Sequence, residues 1–369
     1  MEIEVEQSKL AKALSAVSRV AAGARTTLPV LSNVLIRVDK KKTTLTTTNL
    51  DMAVEDFLPT SLAKDGVVTV PAKLLSEFVA NLPGNEVVNL SVNGDKVVTR
   101  SGKYSSVMNG TSAEDFPELP EIDEKKAVKF KIGVEEFKAG LTQVMVASSN
   151  DLTRPSLTGV YFNTNDGALY VAATDGYRLA EKKLSDKVKS EVKAIVPSRS
   201  LAEVMRLLGD NDDEVEIIFD DAQVKFRLGE IELTSKLIDG SFPDYRRLIP
   251  EKSETILKLD RAELSRVTKL AALFAREAGG SIICEAKEAG VFSVSSVANE
   301  FGENDSEITV KVTKPNKVTL NARYLIDALN VLSDTQVIFR FSGGLAPIVV
   351  TNVKLDDYTH IIMPLKGKG

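Results

Sequence analysis

Few side chains in this sequence can do covalent or metal chemistry. It holds one cysteine, Cys284, and one histidine, His360. A single cysteine excludes an internal disulfide framework and a cysteine-rich zinc site, and fits a reducing compartment. A single histidine excludes a histidine-based metal cluster. Nucleophilic catalysis needs a serine or cysteine beside a base, yet His360 sits in the strand-like run Thr-His-Ile-Ile-Met-Pro, where a structural role is expected. Cys284 alternates within Ser-Ile-Ile-Cys-Glu-Ala and is expected in a core. There is no P-loop and no Gly-x-Gly-x-x-Gly following a strand, and the Gly-Gly pairs at Gly279 and Gly343 read as turns. The acid pairs Asp212-Asp213, Asp220-Asp221 and Asp356-Asp357 also fall at turns, where solvated carboxylates are ordinary. One constellation is left for an enzyme. Thr174-Asp175-Gly176 with Arg178 could hold an anion or a sugar, but the composition supplies scarcely any base to act on it.

The elements that would position these groups come from a chain of 369 residues, 43% hydrophobic and 27% charged. That balance fits globular domains, roughly two to four at ordinary domain sizes. No apolar run approaches the roughly 20 residues that span a bilayer, and the opening Met-Glu-Ile-Glu-Val-Glu lacks the basic-then-apolar order of a signal peptide. A cytoplasmic location is expected. The net charge of −5 argues against a protein that grips nucleic acid by its total charge. It does not exclude a basic surface on one face of an acidic molecule.

Helix-period segments recur at near-constant spacing. The spacing predicts helices over residues 7–22, 134–147 and 261–275, and aligning Leu10, Phe137 and Leu264 separates the copies by 127 and 127 residues. A second helix follows in each copy, from Thr69, Ile195 and Thr319, with Leu75, Leu201 and Leu325 offset by 126 and 124. Pro71 and Pro197 suit the first helical position, where a missing N–H costs nothing. Alternating segments such as Val-Leu-Ile-Arg-Val, Gln-Val-Lys-Phe-Arg-Leu and Gln-Val-Ile-Phe-Arg-Phe read as strands. The chain thus reads as three tandem α+β units of about 120 residues, each with two helices packed on antiparallel sheet and about eight short strands. Boundaries are expected where proline and charge interrupt periodicity, giving domains at 1–122, 127–250 and 251–369. Each second helix carries a cation at the equivalent position, Lys73, Arg199 and Arg323. The first helices add Lys9, Lys12, Arg19, Lys138, Arg266 and Lys269, so helices sharing one side would carry a basic stripe.

Two segments are more specific than composition explains: Ala-Ala-Thr-Asp-Gly-Tyr-Arg-Leu-Ala at 172–180 and Thr-Ser-Lys-Leu-Ile-Asp-Gly-Ser-Phe-Pro-Asp-Tyr-Arg-Arg-Leu-Ile-Pro at 234–250. With Arg-Thr-Thr-Leu-Pro-Val-Leu at 25–31, Thr-Arg-Pro-Ser-Leu-Thr-Gly at 153–159, Val-Pro-Ser-Arg at 196–199 and the terminal Ile-Ile-Met-Pro-Leu-Lys, they closely resemble the bacterial sliding-clamp family, the beta subunits of DNA polymerase III. The resemblance runs in order along the entire chain. It implies the DNA clamp fold, a head-to-tail homodimer closing as a six-domain ring with twelve helices facing the hole, and no cofactor or catalysis. It implies double-stranded DNA as an encircled, sequence-independent partner, and no membrane partner. The polymerase III alpha subunit, the clamp loader and repair proteins would dock through short, mostly apolar peptides.

Carried over position by position, the resemblance implies a peptide pocket walled by Leu157, Thr174, Gly176, Tyr177, Arg178, Leu179, Pro243, Arg247 and Leu248. Ile361, Met363, Pro364 and Leu365 would complete it, with Tyr324 and Pro347 nearby. Tyr177 stands where some relatives carry histidine. It implies duplex contacts at Lys12, Arg25, Lys73 and Arg199, while Pro155 and Ser156 replace tyrosines that touch DNA in some relatives. Leu273 and Phe274 would anchor the subunit contact, facing a strand near Lys103 to Met108 in which Ser105 and Ser106 make the surface polar. Two other readings remain: an enzyme built on Asp175 and Arg178, and a repeat scaffold that does not meet DNA.

Overall fold

Strand-period and helix-period runs alternate in the same order three times. The computed structural model describes residues 1–22, 28–39, 42–119, 121–186, 188–209, 212–276, 279–298, 302–354 and 357–365. Arg25 and Asp356 lie outside the described residues. The first copy runs β1 (Glu2–Glu6), α1 (Gln7–Ala22), β2 (Asn33–Asp39), β3 (Lys42–Thr48), β4 (Met52–Leu58), β5 (Leu62–Lys64), β6 (Gly66–Pro71), α2 (Ala72–Ala80), β7 (Val87–Asn93), β8 (Lys96–Ser101) and β9 (Tyr104–Asn109). The second runs β10 (Val128–Gly133), α3 (Val134–Met145), β11 (Gly159–Asn165), β12 (Ala168–Thr174), β13 (Arg178–Ser185), β14 (Lys193–Pro197), α4 (Ser198–Leu207), β15 (Glu214–Phe219), β16 (Gln223–Leu228) and β17 (Ile231–Lys236). The third runs β18 (Thr255–Asp260), α5 (Arg261–Phe274), β19 (Ser281–Lys287), β20 (Val291–Ala298), β21 (Gly302–Thr309), β22 (Asn316–Asn321), α6 (Ala322–Val331), β23 (Gln336–Phe341), β24 (Ile348–Asn352) and β25 (Tyr358–Ile362).

The second helices begin one residue later than the proline pattern predicts. Pro71 and Pro197 close β6 and β14, pairing with Asn33 and Gly159. Both strands lie at sheet edges, where a residue without an N–H leaves no ladder bond unmade. Side-chain caps start the helices of the third copy: Asp260 accepts from Glu263 N at 2.8 Å and Asn321 from Arg323 N at 2.9 Å.

The described chain clusters into two compact units that cut across the three copies. One combines residues 1–134 with 199–237. It contains a five-stranded sheet, β5-β1-β7-β8-β9, and an eight-stranded sheet, β10-β15-β16-β17-β4-β3-β2-β6. Its core includes Ile3, Leu10, Leu14, Val17, Ile36, Val54, Leu75 and Phe226, all fully buried. The eight-stranded sheet runs through a joint between copies: β17 pairs antiparallel with β4, Leu233 opposite Val54. Helix α1 packs on β3, β4 and α2, and Arg206 of α4 donates to the Ala16 carbonyl of α1 at 2.9 Å.

The other unit combines residues 135–198 with 238–369. It contains the eight-stranded sheet β14-β11-β12-β13-β25-β24-β23-β18 and the four-stranded sheet β21-β20-β19-β22. The same joint recurs here: β13 pairs with β25, Ala180 opposite His360. Phe137, Phe162, Phe292, Phe339 and Cys284 are fully buried in its core. Helix α5 packs on α6 and on β20 and β21.

Candidate functional site

The turn between β12 and β13 is built by its own side chains. Asp175 Oδ1 accepts from the backbone N–H of Tyr177 at 2.9 Å and of Arg178 at 3.0 Å, the pattern of an Asx turn. Thr174 Oγ1 accepts from Gly176 N at 3.0 Å and donates to the Arg178 carbonyl at 2.6 Å. Gly176 takes φ +92°, a conformation that glycine adopts without a Cβ clash. The Tyr177 carbonyl accepts from Met363 N at 2.8 Å, which ties the turn to the chain leaving β25.

Arg178 is buried behind this turn. Its Nε donates to Asp175 Oδ2 at 3.1 Å, its Nη1 to Asp327 Oδ2 at 2.5 Å, and its guanidinium lies 4.6 Å from the Tyr324 ring centroid. Its charge is thus committed to two carboxylates and an aromatic face, which leaves little for an incoming anion. Among the described residues no group of three or more His, Cys, Asp or Glu side chains is placed to hold a metal ion.

In front of Arg178 is an apolar cavity of about 100 Å³, lined by Leu157, Thr174, Gly176, Arg178, Leu179, Pro243, Tyr245, Leu248, Ile361 and Met363. Nine of these ten were expected from the resemblance. Leu179, Ile361 and Tyr245 are buried with Ala172 and Val349, so the floor is a preformed part of the core. Leu248 differs: it is 48% exposed, at the end of the short 3-10 helix Tyr245–Leu248, and offers its side chain to the cavity mouth.

Tyr245 was not singled out in the sequence, although it stands two residues after Pro243. Its hydroxyl donates to Glu181 and accepts from Asn163 Nδ2 at 3.2 Å. Burial, reinforced by the Glu181 carboxylate, pushes the phenol well above its ordinary range, so it stays a neutral donor. Glu181 also pairs with Arg246 at 3.0 Å, and Arg246 stacks 4.3 Å from the Tyr170 ring centroid. Phe242 stacks on Tyr161 at 4.8 Å. These contacts pin the 242–248 segment against the sheet and fix where Pro243 and Leu248 point.

The other expected pocket residues lie outside this cavity. Tyr177 and Tyr324 line an adjoining shallow, polar cavity of about 330 Å³ with Arg154, Asp175, Arg178 and Arg323. Arg247 points to solvent, its side chain 85% exposed and paired with Asp244 at 2.6 Å. Pro347, Pro364 and Leu365 are half-buried and line neither cavity. Pro155 and Ser156 begin the 3-10 helix that delivers Leu157.

His360 serves as core on β25. It is fully buried, and burial aided by Arg178 pushes its imidazole down to about 3. Tyr358 OH gives its proton to the Gln143 carbonyl at 3.1 Å, so His360 Nδ1, 2.8 Å away, carries a proton and donates to that hydroxyl.

The cations expected at a duplex fall on helices. Lys12, Lys73 and Arg199 are exposed on α1, α2 and α4, which share one unit. Lys73 is 3.8 Å from Glu77, while Lys12 and Arg199 have no ion pair among the described residues. In the other unit Arg266, Lys269 and Arg323 are exposed on α5 and α6, and Lys138 on α3 is half-buried.

Of the expected interface residues, Lys103 and Leu273 are exposed, the latter at 54%, and Phe274 is half-buried. Met108 points into its own core; Val107, one residue earlier, is 59% exposed. The outward apolar positions that sequence reasoning missed are Val107 and Tyr104 on β9, Leu74 on α2 and Leu270 on α5. The alternation along β9 carried the signal for Val107, since an inward Met108 turns its neighbour out.

Three models of the DNA polymerase III beta subunit match in order along the chain, the N-terminal domain at residues 1–120, the central domain at 131–244 and the C-terminal domain at 246–366. The beta sliding clamp of Staphylococcus aureus is 30% identical over 354 residues, 93% of either chain. A crystal structure of the DNA polymerase sliding clamp from Pseudomonas aeruginosa superposes with a TM-score of 0.94 at 28% identity, covering 100% of both chains. The sliding clamp of Bacillus subtilis gives 0.93 at 27% identity, covering 100% of this chain and 99% of that one.

Proposed function

The chain belongs to the family of the DNA polymerase III beta subunit, the DNA sliding clamps, and from that premise we propose how it does a clamp's work. A sliding clamp is a processivity factor without catalysis of its own. Two copies of this chain close head to tail into a ring around duplex DNA in the cytoplasm and hold the polymerase there through the cavity at Leu248.

The observation that carries the ring is a strand joint used twice and left half-filled at two places. The last strand of one copy pairs with the fourth strand of the copy before it, as β17 with β4 and β25 with β13. The last strand of the first copy is β9, and the strand of the third copy equivalent to β4 and β13 is β21. Each is a sheet edge. They are the two halves of one joint, and a second chain fills both. Carrying the register over through the ladders sets Ser106 opposite Asn304, Ser105 opposite Asp305 and Lys103 opposite Glu307. Charge supports the match. Lys96, Arg100 and Lys103 stand on or beside β9, and Glu303, Asp305 and Glu307 on β21. The exposed Leu270 and Leu273 on α5, facing Leu74 on α2, would supply its apolar part.

A ring holds DNA by topology, so phosphate contacts need only be weak and blind to sequence. Exposed helix cations such as Lys12, Lys73 and Arg199 suit that, within a molecule whose net charge is −5; Arg25, outside the described residues, is proposed as a further contact from the family resemblance alone. A narrow apolar cavity with a fixed turn on one side suits a short peptide carrying apolar anchors, the form in which polymerase, loader and repair proteins dock. Arg247, Tyr177, Tyr324, Pro347, Pro364 and Leu365 would form the outer ground for the flanks of that peptide.

Cysteine cross-linking tests the joint. In a Cys284→Ser background, Ser106→Cys with Asn304→Cys places two thiols on directly opposed residues, about 4.5 to 5.5 Å apart between Cα atoms. Oxidation should give a covalent two-chain species that neither single variant gives. Absence of that species in the double variant would refute the joint.

A further inference from the structure

We infer that the unit containing residues 1–134 carries a second peptide-docking cavity, the repeat counterpart of the one at Leu248, and that it takes an extended segment with apolar anchors flanked by lysine or arginine. The inference rests on reading the Leu248 cavity as a peptide groove.

The turn between β3 and β4 reproduces the Asp175 turn bond for bond. Asn49 Oδ1 accepts from Asp51 N at 3.1 Å and Met52 N at 2.9 Å. Thr48 Oγ1 accepts from Leu50 N at 3.1 Å and donates to the Met52 carbonyl at 3.0 Å. Lys236 N donates to the Asp51 carbonyl at 2.9 Å, as Met363 N does to Tyr177. A Phe-Pro pair, Phe116-Pro117, stands where the other site has Phe242-Pro243. These elements enclose a cavity of about 530 Å³ whose apolar walls are Leu50, Met52, Ala53, Pro117 and Leu119. It is several times the volume of its counterpart.

Two differences say what it accepts. Where the other turn has Gly176, this one has Leu50 at φ +75°, a left-handed conformation that leucine adopts only under strain. Its side chain is half-exposed at the cavity and offers an apolar contact that glycine lacks. The rim also has the opposite charge. Asp51 and Glu118 line the cavity, Glu114 and Glu121 line the contiguous cavity of about 890 Å³, and all four are exposed with no ion pair among the described residues; they outnumber the exposed cations Lys236 and Arg37 that line the same two cavities, which leaves the rim acidic on balance. The Leu248 cavity is instead neighboured by Arg323, which has no ion pair among the described residues, and by Arg154 and Arg247, which pair with Asp151 and Asp244. The two grooves therefore divide partners by the charge flanking the same kind of apolar anchor.

Methionine methyl groups report on the two sites separately, because Met52 lines one and Met363 the other. The full-length protein, labelled with 13C at the methionine methyls, is titrated with two synthetic peptides. They share a Leu-Leu-Phe core and are flanked by lysines or by glutamates. The lysine peptide should shift the Met52 signal saturably and bind about fivefold or more tighter there than the glutamate peptide. Asp51→Lys with Glu118→Lys should reverse that preference at Met52 and leave Met363 unchanged. A Met52 signal that moves with neither peptide overturns the inference, as does one that moves only with protein concentration, the mark of a second copy. A shift at Met363 alone overturns it while leaving the Leu248 reading intact. A shift at Met52 alone supports it and counts against that reading.

Discussion

Leu248→Ala should weaken peptide binding without disturbing the fold. Fully burying a leucine side chain is worth about 1.5 to 3 kcal/mol. Leu248 is already half covered in the free protein, at 48% exposure, so a peptide that covers the rest gains about half of that. Truncation to alanine removes most of this gain, about 1 kcal/mol, or roughly a fivefold to tenfold rise in Kd. Because the lost contact is with the ligand, the thermal midpoint should stay within about a degree or two. The contrast is Leu179 or Ile361, whose truncation would open a core cavity at about 2 to 5 kcal/mol and confuse binding with folding. Arg247→Ala is the internal control. Its side chain is exposed and paired locally with Asp244, so its loss should change affinity less than about threefold. Fluorescence polarisation with a labelled peptide from the polymerase alpha subunit measures both. An unchanged Kd for Leu248→Ala, or a larger loss for Arg247→Ala, would refute the placement of the apolar anchor.

Phe274→Asp should split the proposed ring, because closing the joint would desolvate an unpaired carboxylate beside Leu273; each joint should lose about 3 kcal/mol, at least a hundredfold in the dimer constant by sedimentation equilibrium. An unchanged constant would put the interface elsewhere. Asp56 gives a pH test. Burial pushes its carboxyl up to about 6, against the opposing pull of Lys12. A raised folded-state value means stability present below the unfolded value near 3.9 and lost as pH rises through 6. Asp56→Asn should remove that slope and stabilise the protein at pH 7 by about 2 to 3 kcal/mol in urea unfolding; an unchanged slope between pH 4 and 6 would refute the assignment.

Much of the fold is legible in the sequence because its signals are local. The spacing of Leu10, Leu14 and Val17 gave α1 its full span, Gln7–Ala22, and the 127-residue offset gave the tandem copies. What is not legible depends on partners far along the chain. Nothing near Arg178 announces that its guanidinium reaches Asp327, 149 residues away. Nor does local pattern reveal that β4 continues into β17, since any strand edge can pair with any other of fitting register. On β9 the serines at 105 and 106 interrupt the apolar alternation, so Met108 reads as an outward anchor although Val107 points out. At the cavity, the residues named from the resemblance include the walls but also side chains such as Arg247 that belong to the same segment and point away. Segment identity follows from sequence; side-chain direction follows from the 3-10 helix at Tyr245–Leu248 and the contacts that pin it.

The central claim, closure of two chains through the β9 and β21 edges, is tested most directly by negative-stain electron microscopy of protein whose native mass has been measured in the same buffer. A dimeric ring should show a mass twice 40.0 kDa and closed particles of six lobes around a central hole. Open filaments, or closed particles without a hole at that mass, would contradict it.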